Sequence, residues 1–240
     1  MEYQLPDQNK NPALFANPIV YENGKVIPSQ CEHEISNFNV DWRKHSVFAA
    51  KLAPGQMTRF DVRIELIPTP APLHQPDGDI IDFKTKELEV VINKSTGLVN
   101  RFIVNGICAT GKDAFRPLAI CDDENSWAHK EKSFRQIKGE FKLMTPEQGT
   151  KFSGVINGDI LPSVRIIEDG KIRTVVEAVF SYNNSFLCRR YYLPKTGTDL
   201  KICDKVYWNE KMTMLKLSVP TDFDKTFLGQ TAYGSETLLT

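Results

Sequence analysis

Hydrophobic and polar residues alternate with a period of two in the last fifth of this chain. Leu200, Ile202 and Val206 fall on one side of the pattern, while Lys201 and Lys205 fall on the other. Successive side chains of an extended strand point to opposite faces, so this alternation predicts a β-strand. One face of that strand is expected to contact a hydrophobic core and the other face to contact solvent.

The segments on either side of this strand continue the β pattern. Residues 175–182 and 185–193 are rich in β-branched and aromatic side chains, and they flank Asn183 and Asn184. Asparagine tolerates the left-handed backbone of a tight turn, so the pair predicts a hairpin. Alternation returns in residues 215–219 after a short polar turn. We therefore predict an antiparallel meander through this region.

Three short segments of the meander have a distinctive order and spacing. They are RRYYL at 189–193, WNEK at 208–211 and MLKLSVP at 214–220. This series resembles the C-terminal β region of glycoside hydrolase family 38, the α-mannosidases. In that family a strand that ends in a Trp-Asn-Glu-like turn leads into a Leu-Lys-Leu-like strand and a proline. The resemblance extends over roughly residues 11–240.

The N-terminal part of the chain has strand patterns of its own. Glu-Asn-Gly-Lys at 22–25 has the chemistry of a hairpin turn. Strands are predicted at 46–52 and 59–67, with a turn at 53–55 between them. By this pattern the segment 14–68 forms a small antiparallel sandwich, and the resembling enzymes also have a small β domain at this place.

Prolines recur between residues 68 and 76 and predict a stiff, extended connection. We place a Pro-rich linker at 70–82, a small β-sandwich domain at 1–69 and a larger domain at 83–240. By resemblance, the larger domain is part of a galactose-mutarotase-like β super-sandwich, and we expect it to be truncated at its C-terminal end. The predicted fold class is all-β.

Composition narrows the classes of partner. The 240 residues include 30 Lys and Arg against 30 Asp and Glu, and 41% are hydrophobic. Without a basic excess the chain cannot replace many counterions on phosphates, which argues against nucleic-acid binding. Membrane contact is not expected either, because no apolar run reaches the ~20 residues that a spanning helix needs. The first residues lack the apolar segment of a signal peptide, so we expect a cytoplasmic protein.

Cysteine and histidine spacing gives no sign of a metal site. The 5 cysteines are scattered without a Cys-x-x-Cys pair, and their odd number does not indicate a disulfide framework. The 4 histidines lack the spacing of a helical zinc site. We therefore expect reduced thiols, structural histidines and no metal ligands in this chain.

The segment DDENSWAH at 122–129 is the candidate substrate-binding site. Carboxylates can accept hydrogen bonds from sugar hydroxyls, and an indole can stack on the apolar face of a sugar ring. Asp122, Asp123 and Trp127 also resemble an Asp-rich segment that ends in Trp at the matching place in the mannosidase family. The alternative, which we favour, is an acidic surface loop held by a buried tryptophan.

Three other positions, one tryptophan and two histidines, are weaker candidates for a functional role. Trp42 lies among charged residues and could form a sugar platform, although a tryptophan packed at a domain edge fits the sequence better. His129 and His45 are the candidates for the proton transfer of an epimerase. They fall in different predicted domains, which argues against that activity.

The resemblance implies a role for the whole chain. The family places a His-x-Asp zinc motif and its nucleophilic aspartate in an N-terminal α/β domain, and His-x-Asp does not occur in this sequence. We therefore expect a non-catalytic β region of an α-mannosidase that partners an N-terminal catalytic domain of the same polypeptide, where zinc is expected. The isolated chain is predicted to be inactive. The ligand class is α-mannoside carbohydrate.

Two alternatives stay open from the sequence, a free-standing carbohydrate-binding module and a mutarotase-like epimerase. Oligomerisation is a further expectation. A sheet that is incomplete exposes backbone N–H and C=O groups along its edge, and such edges pair with other chains. We therefore also expect association between copies of this chain.

Overall fold

The computed structural model describes residues 2–4, 13–34, 43–125, 127, 133–153, 158–221, 223 and 226–239. These residues form antiparallel β-sheets and one short helix. The strands are β1 (Glu2–Gln4), β2 (Leu14–Glu22), β3 (Lys25–Ile27), β4 (Ser29–His33), β5 (Arg43–Phe48), β6 (Phe60–Pro68), β7 (Ile80–Lys84), β8 (Leu88–Asn93), β9 (Val99–Val104), β10 (Ile107–Thr110), β11 (Arg116–Cys121), β12 (Ile137–Glu140), β13 (Lys142–Leu143), β14 (Val164–Asp169), β15 (Arg173–Tyr182), β16 (Ser185–Pro194), β17 (Lys201–Tyr207), β18 (Thr213–Ser218), β19 (Thr226–Thr231) and β20 (Gly234–Leu239). The helix is α1 (Pro146–Phe152). The all-β fold class predicted from the sequence is confirmed.

The chain divides into two compact units. One contains Met1–Gln75, Ile166–Val176 and Tyr191–Lys201, and the other contains the remaining segments. The long strands β15 and β16 thus contribute residues to both units. The predicted division into domains at 1–69 and 83–240, with a linker at 70–82, stays a prediction. Among the described residues, no helix is long and apolar enough to cross a membrane.

Two three-stranded sheets form most of the first unit, with the strand orders β3-β2-β6 and β1-β5-β4. The hairpin predicted at 22–25 is confirmed, since Glu22 lies opposite Lys25. Asn23 and Gly24 have φ angles of +51° and +75°, as a tight hairpin turn requires. β2 then pairs with β6 along its whole length.

The connection at 53–55 differs from the simple strand-turn-strand of the prediction. β5 begins at Arg43 and ends at Phe48, so the strand predicted at 46–52 is displaced toward the N-terminus. Gly55 does turn the chain, with a φ of +67°. However, β5 pairs with β4 whereas β6 pairs with β2, so the turn carries the chain from one sheet to another.

In the second unit, β7 to β10 form a four-stranded antiparallel meander. β8 and β9 form an antiparallel hairpin. Its turn is closed by hydrogen bonds from the Gly97 N–H to the Asn93 oxygen at 2.8 Å and from the Asn93 N–H to the Leu98 oxygen at 2.9 Å. The inward side chains of this sheet, such as Val90 and Ile92, are fully buried and form part of the core.

The meander predicted over residues 175–219 is only partly correct. β15, β16 and β17 are neighbours in one sheet, and Asn183 turns the first hairpin with a φ of +46°. β18 leaves that sheet and pairs with β11, with Arg116 opposite Ser218. The segment before β18 is held across the hairpin end, because the Asn209 N–H donates to Ser185 Oγ at 2.8 Å. It therefore does not return alongside β17.

Helix α1 was not predicted, although its start is encoded locally. The Thr145 side chain accepts from the Gln148 N–H at 3.3 Å, and the Gln148 side chain accepts from the Thr145 N–H at 3.0 Å. Pro146 follows at the first helical position. Thr-Pro-x-Gln is thus a capping box with proline at its preferred place.

Candidate functional site

The loop after β11 contains the three predicted substrate-binding residues. Asp122 Oδ1 accepts from the Asp123 N–H at 2.9 Å, and Asp123 Oδ1 accepts from the Asn125 N–H at 2.8 Å. Asn125 Oδ1 in turn accepts from the Trp127 N–H at 3.0 Å. Each polar side chain thus fixes the backbone one or two residues ahead, which is the usual role of Asx turns. The structure therefore brings Asp122, Asp123 and Trp127 together in one loop.

Trp127 is exposed in this loop. Its relative accessibility is 81%, so the expectation of a buried tryptophan that holds the loop is wrong. The side-chain hydrogen bonds of Asp122, Asp123 and Asn125 fix the described part of the loop instead. An exposed indole beside carboxylates offers both an apolar face for a sugar ring and acceptors for its hydroxyls.

The base of the loop is attached to the start of β18. The Asp122 N–H donates to the Met212 oxygen at 3.1 Å. Lys138 Nζ donates to the same oxygen at 2.6 Å and to Thr213 Oγ1 at 3.1 Å. Met212 has a φ of +50°, so the chain turns sharply where these bonds converge. These bonds fix the start of the loop, at Asp122, against the start of β18.

Glu210 closes the hairpin between β15 and β16. Its carboxylate accepts from Asn183 Nδ2 at 3.3 Å, from the Asn184 N–H at 3.2 Å and from Ser185 Oγ at 2.9 Å. Burial acts to raise the pKa of Glu210, but the hydrogen bonds from Ser185 and Asn183 outweigh it and hold the pKa below its ordinary value. These three hydrogen bonds make Glu210 a structural part of the hairpin turn.

An ion pair lies inside the second unit. Arg189 is fully buried, and its Nε and Nη2 donate to the two carboxylate oxygens of Asp204 at 2.7 and 2.6 Å. Its Nη1 donates to the Phe115 oxygen, and its guanidinium lies 5.7 Å from the Phe180 ring centre. Arg189 was identified in the sequence only through the RRYYL segment, and Asp204 was missed.

Glu177 is a buried carboxylate that is shared by two arginines. Arg165 Nη2 donates to it at 2.9 Å and Arg190 Nε donates at 3.1 Å. Burial and the Glu177 charge raise the pKa of the nearby Cys188 thiol to about 12. A thiol that stays protonated at neutral pH is a poor nucleophile, so this cluster is structural.

The described part of the chain does not supply a metal site. Within it, no group of three or more His, Cys, Asp or Glu side chains is arranged to hold a metal ion. Of the two histidines considered for an epimerase, His45 lies in β5. His129 and the predicted sugar platform Trp42 lie outside the described residues.

Comparisons with known proteins show a likeness at the level of fold. No family model matches the sequence, and no curated protein matches it either. A solved structure of an α-mannosidase from Enterococcus faecalis V583 superimposes on 94% of this chain with a TM-score of 0.54 and 10% sequence identity. The matched region is 28% of that chain. The chain therefore has the β-sandwich fold found in a segment of an α-mannosidase.

Proposed function

We propose that this chain is the non-catalytic β region of an α-mannosidase of the glycoside hydrolase family 38 type. The observation that carries the proposal is the fold likeness over 94% of the chain to a segment that makes up 28% of an α-mannosidase. In this function the chain supports an N-terminal catalytic domain of the same polypeptide, which binds zinc and hydrolyses α-mannosides in the cytoplasm.

The roles of the acidic side chains support a scaffold function. Glu210 accepts three hydrogen bonds from one hairpin turn. Glu177 and Asp204 are each engaged by arginine in the interior of a sheet. A two-carboxylate glycosidase needs one group to stay protonated until it donates to the leaving oxygen. Carboxylates that are fixed by cations and hydrogen bonds are suited to holding a fold together.

The test compares three proteins in one assay with a chromogenic α-mannoside. We expect turnover from the polypeptide encoded by the complete reading frame and none from this chain alone. We also expect loss of turnover when residues 1–240 are removed from the complete polypeptide. Hydrolysis by this chain alone would show that the chemistry lies here, and an inactive complete polypeptide would refute the assignment to an α-mannosidase.

A carbohydrate-contacting role is a second candidate, favoured by the exposure of Trp127. We expect mannose or oligomannose to change the tryptophan fluorescence saturably and Trp127→Ala to abolish the change, because the stacking face is lost. The matched control is Trp208→Phe, since Trp208 stacks on Phe141 at 6.2 Å and serves packing. A response that persists in Trp127→Ala would exclude this loop as the contact.

A further inference from the structure

A pocket in the second unit lies between helix α1 and the β15–β16 hairpin. Its volume is about 430 Å³, which falls within the ~300–1,000 Å³ range of small-molecule sites. α1 contributes Lys151 and Phe152 to the lining, and the two strands with their turn contribute Ser181, Asn183 and Phe186. All of these residues belong to the second unit, so the pocket is contained in one compact body.

Aromatic side chains form the apolar wall of this pocket. The Phe152 ring centre lies 5.5 Å from that of Phe186 and 5.7 Å from that of Tyr207. Met144, which is almost fully buried, adds a thioether side chain to the lining. Phe186 is 37% exposed, so part of its ring is open to a ligand. An apolar group that covers this ring gains free energy from the surface that is removed from water.

The side of the pocket formed by α1 is held in place by the chain that follows it. The Leu161 N–H donates to Thr150 Oγ1 at 2.8 Å, and Ser163 Oγ donates to the Thr145 oxygen at 3.1 Å. Gly149 packs closely on the same segment, since an added Cβ would lie 2.7 Å from Ser163 Oγ. The pocket is therefore preformed, and little conformational entropy is lost when a ligand binds.

Among the described residues that line the pocket, Lys151 alone carries a charge. Its side chain is exposed and forms no ion pair with another described residue. Gln148 also lines the pocket, and residues three apart share one face of a helix. Its Oε1 accepts from the Thr145 N–H, which leaves the amide nitrogen as a donor. The pocket thus offers a cation and an N–H donor beside aromatic rings.

This combination of groups selects a chemical class of ligand. A carboxylate can accept from both Lys151 and Gln148, and hydrogen bonds between charged groups are stronger than those between neutral groups. An aromatic ring attached to that carboxylate can pack against Phe152 and Phe186. We propose that this pocket binds a small carboxylic acid with an aromatic body. Such an acid differs in class from the α-mannosides of the proposed function, so the proposal stands independently of that function.

Binding is measured on this chain by saturation-transfer NMR and calorimetry, with phenylpropionate as the probe. For a ligand of about eleven heavy atoms we expect a Kd on the order of 1 mM. Phenylpropionamide has the same shape without the charge and should bind about threefold to fivefold more weakly. This difference is modest because Lys151 is exposed, and it should vanish at ~1 M salt, where exposed charges are screened. Propionate lacks the ring and should bind about tenfold more weakly than phenylpropionate, or worse.

Variants locate the binding. Lys151→Met removes the charge and keeps the length of the side chain, so it should lower the affinity for phenylpropionate to that for the amide. The affinity for the amide should not change. The matched control is Lys86→Met, at an exposed position between β7 and β8. Phe186→Ala should weaken the acid and the amide alike, by about tenfold, because both pack on the ring. Phe186→Leu takes its place if the alanine variant does not fold.

The outcomes decide in both directions. Saturable binding of phenylpropionate that falls to the level of the amide in Lys151→Met, and keeps its strength in Lys86→Met, supports the site. Equal binding of acid and amide to the unaltered chain at low salt would overturn the proposal, as would tighter binding of phenylpropylamine than of the acid. So would unchanged affinity in the Phe186 variant, or no saturable binding of phenylpropionate up to ~100 mM. Mannoside turnover is not the readout, so failure here is distinguishable from failure of the proposed function.

Discussion

Replacing Arg189 with alanine is expected to lower the free energy of unfolding by about 3–5 kcal/mol. Arg189 is fully buried, and Asp204 loses both of its charged hydrogen bonds when the guanidinium is removed. The Phe115 oxygen loses a donor as well. Asp204, whose side chain is only 15% exposed, is left without its cation, and this is the main source of the loss. Urea unfolding followed by circular dichroism measures the change.

An exposed arginine pair provides the matched control for Arg189. Arg59 donates to Asp61 at 3.0 Å, but its side chain is 86% exposed, so Arg59→Ala should cost no more than ~1 kcal/mol. The double variant Arg189→Met with Asp204→Leu should recover much of the stability, since no unpaired charge remains. Equal effects of Arg189→Ala and Arg59→Ala would show that the buried pair does not hold this sheet.

The turns of this fold could be read from the sequence because they depend on a few adjacent residues. Asn23 and Gly24 adopt positive φ, and so does Asn183. Few residue types accept that conformation, so a short motif is enough to place a hairpin. The half-buried character of β17 was readable for a similar reason, since its exposure alternates as the sequence does.

The partner of a strand could not be read in the same way. Alternation states which face is buried and says nothing about which strand lies alongside. β18 therefore looked like the next strand of a meander, although it pairs with β11. The exposure of Trp127 could not be predicted either, because hydrophobic and polar residues do not alternate regularly in a loop. There the ladder through Asp122, Asp123 and Asn125 replaces a buried anchor.

The buried ion pair was within reach of sequence reasoning. In β16, Leu187, Arg189 and Tyr191 lie two residues apart and share one face, and both flanking side chains are fully buried. An arginine on such a face needs a carboxylate nearby. Asp204 shares the half-buried face of β17 with Val206. The signal was one charged residue on the apolar face of each strand, Arg189 in β16 and Asp204 in β17. The family resemblance drew attention to the RRYYL segment and not to this pair.

The ion pair also fixes the backbone that leads into β11. Arg189 donates to the Phe115 oxygen, and Phe115 lies two residues after Asp113. The arginine that stabilises the interior of the sheet thus also holds the segment before β11 in place. A rigid β region can present ligand-binding groups without contributing to bond cleavage, which is consistent with the supporting role proposed for the chain.

Gly97→Ala is expected to lower the free energy of unfolding by about 2–5 kcal/mol. Gly97 has a φ of +71°, where an L side chain costs about 1–2 kcal/mol. A Cβ at this position would also lie 2.7 Å from Phe180 Cζ and 2.9 Å from Leu143 Cδ1. Phe180 is fully buried, so its ring cannot move aside without disturbing the core. Urea unfolding again provides the measurement.

Gly106→Ala separates the backbone strain at Gly97 from the steric clash. Gly106 also has a positive φ, +82°, but an added Cβ meets nothing within 4 Å. It should therefore lose only the ~1–2 kcal/mol of the left-handed backbone. Adding Phe180→Leu to Gly97→Ala removes the ring atoms that clash, so the two losses should sum to more than the loss in the double variant. Strict additivity, or equal losses at Gly97 and Gly106, would mean that the β8–β9 turn does not pack on Phe180.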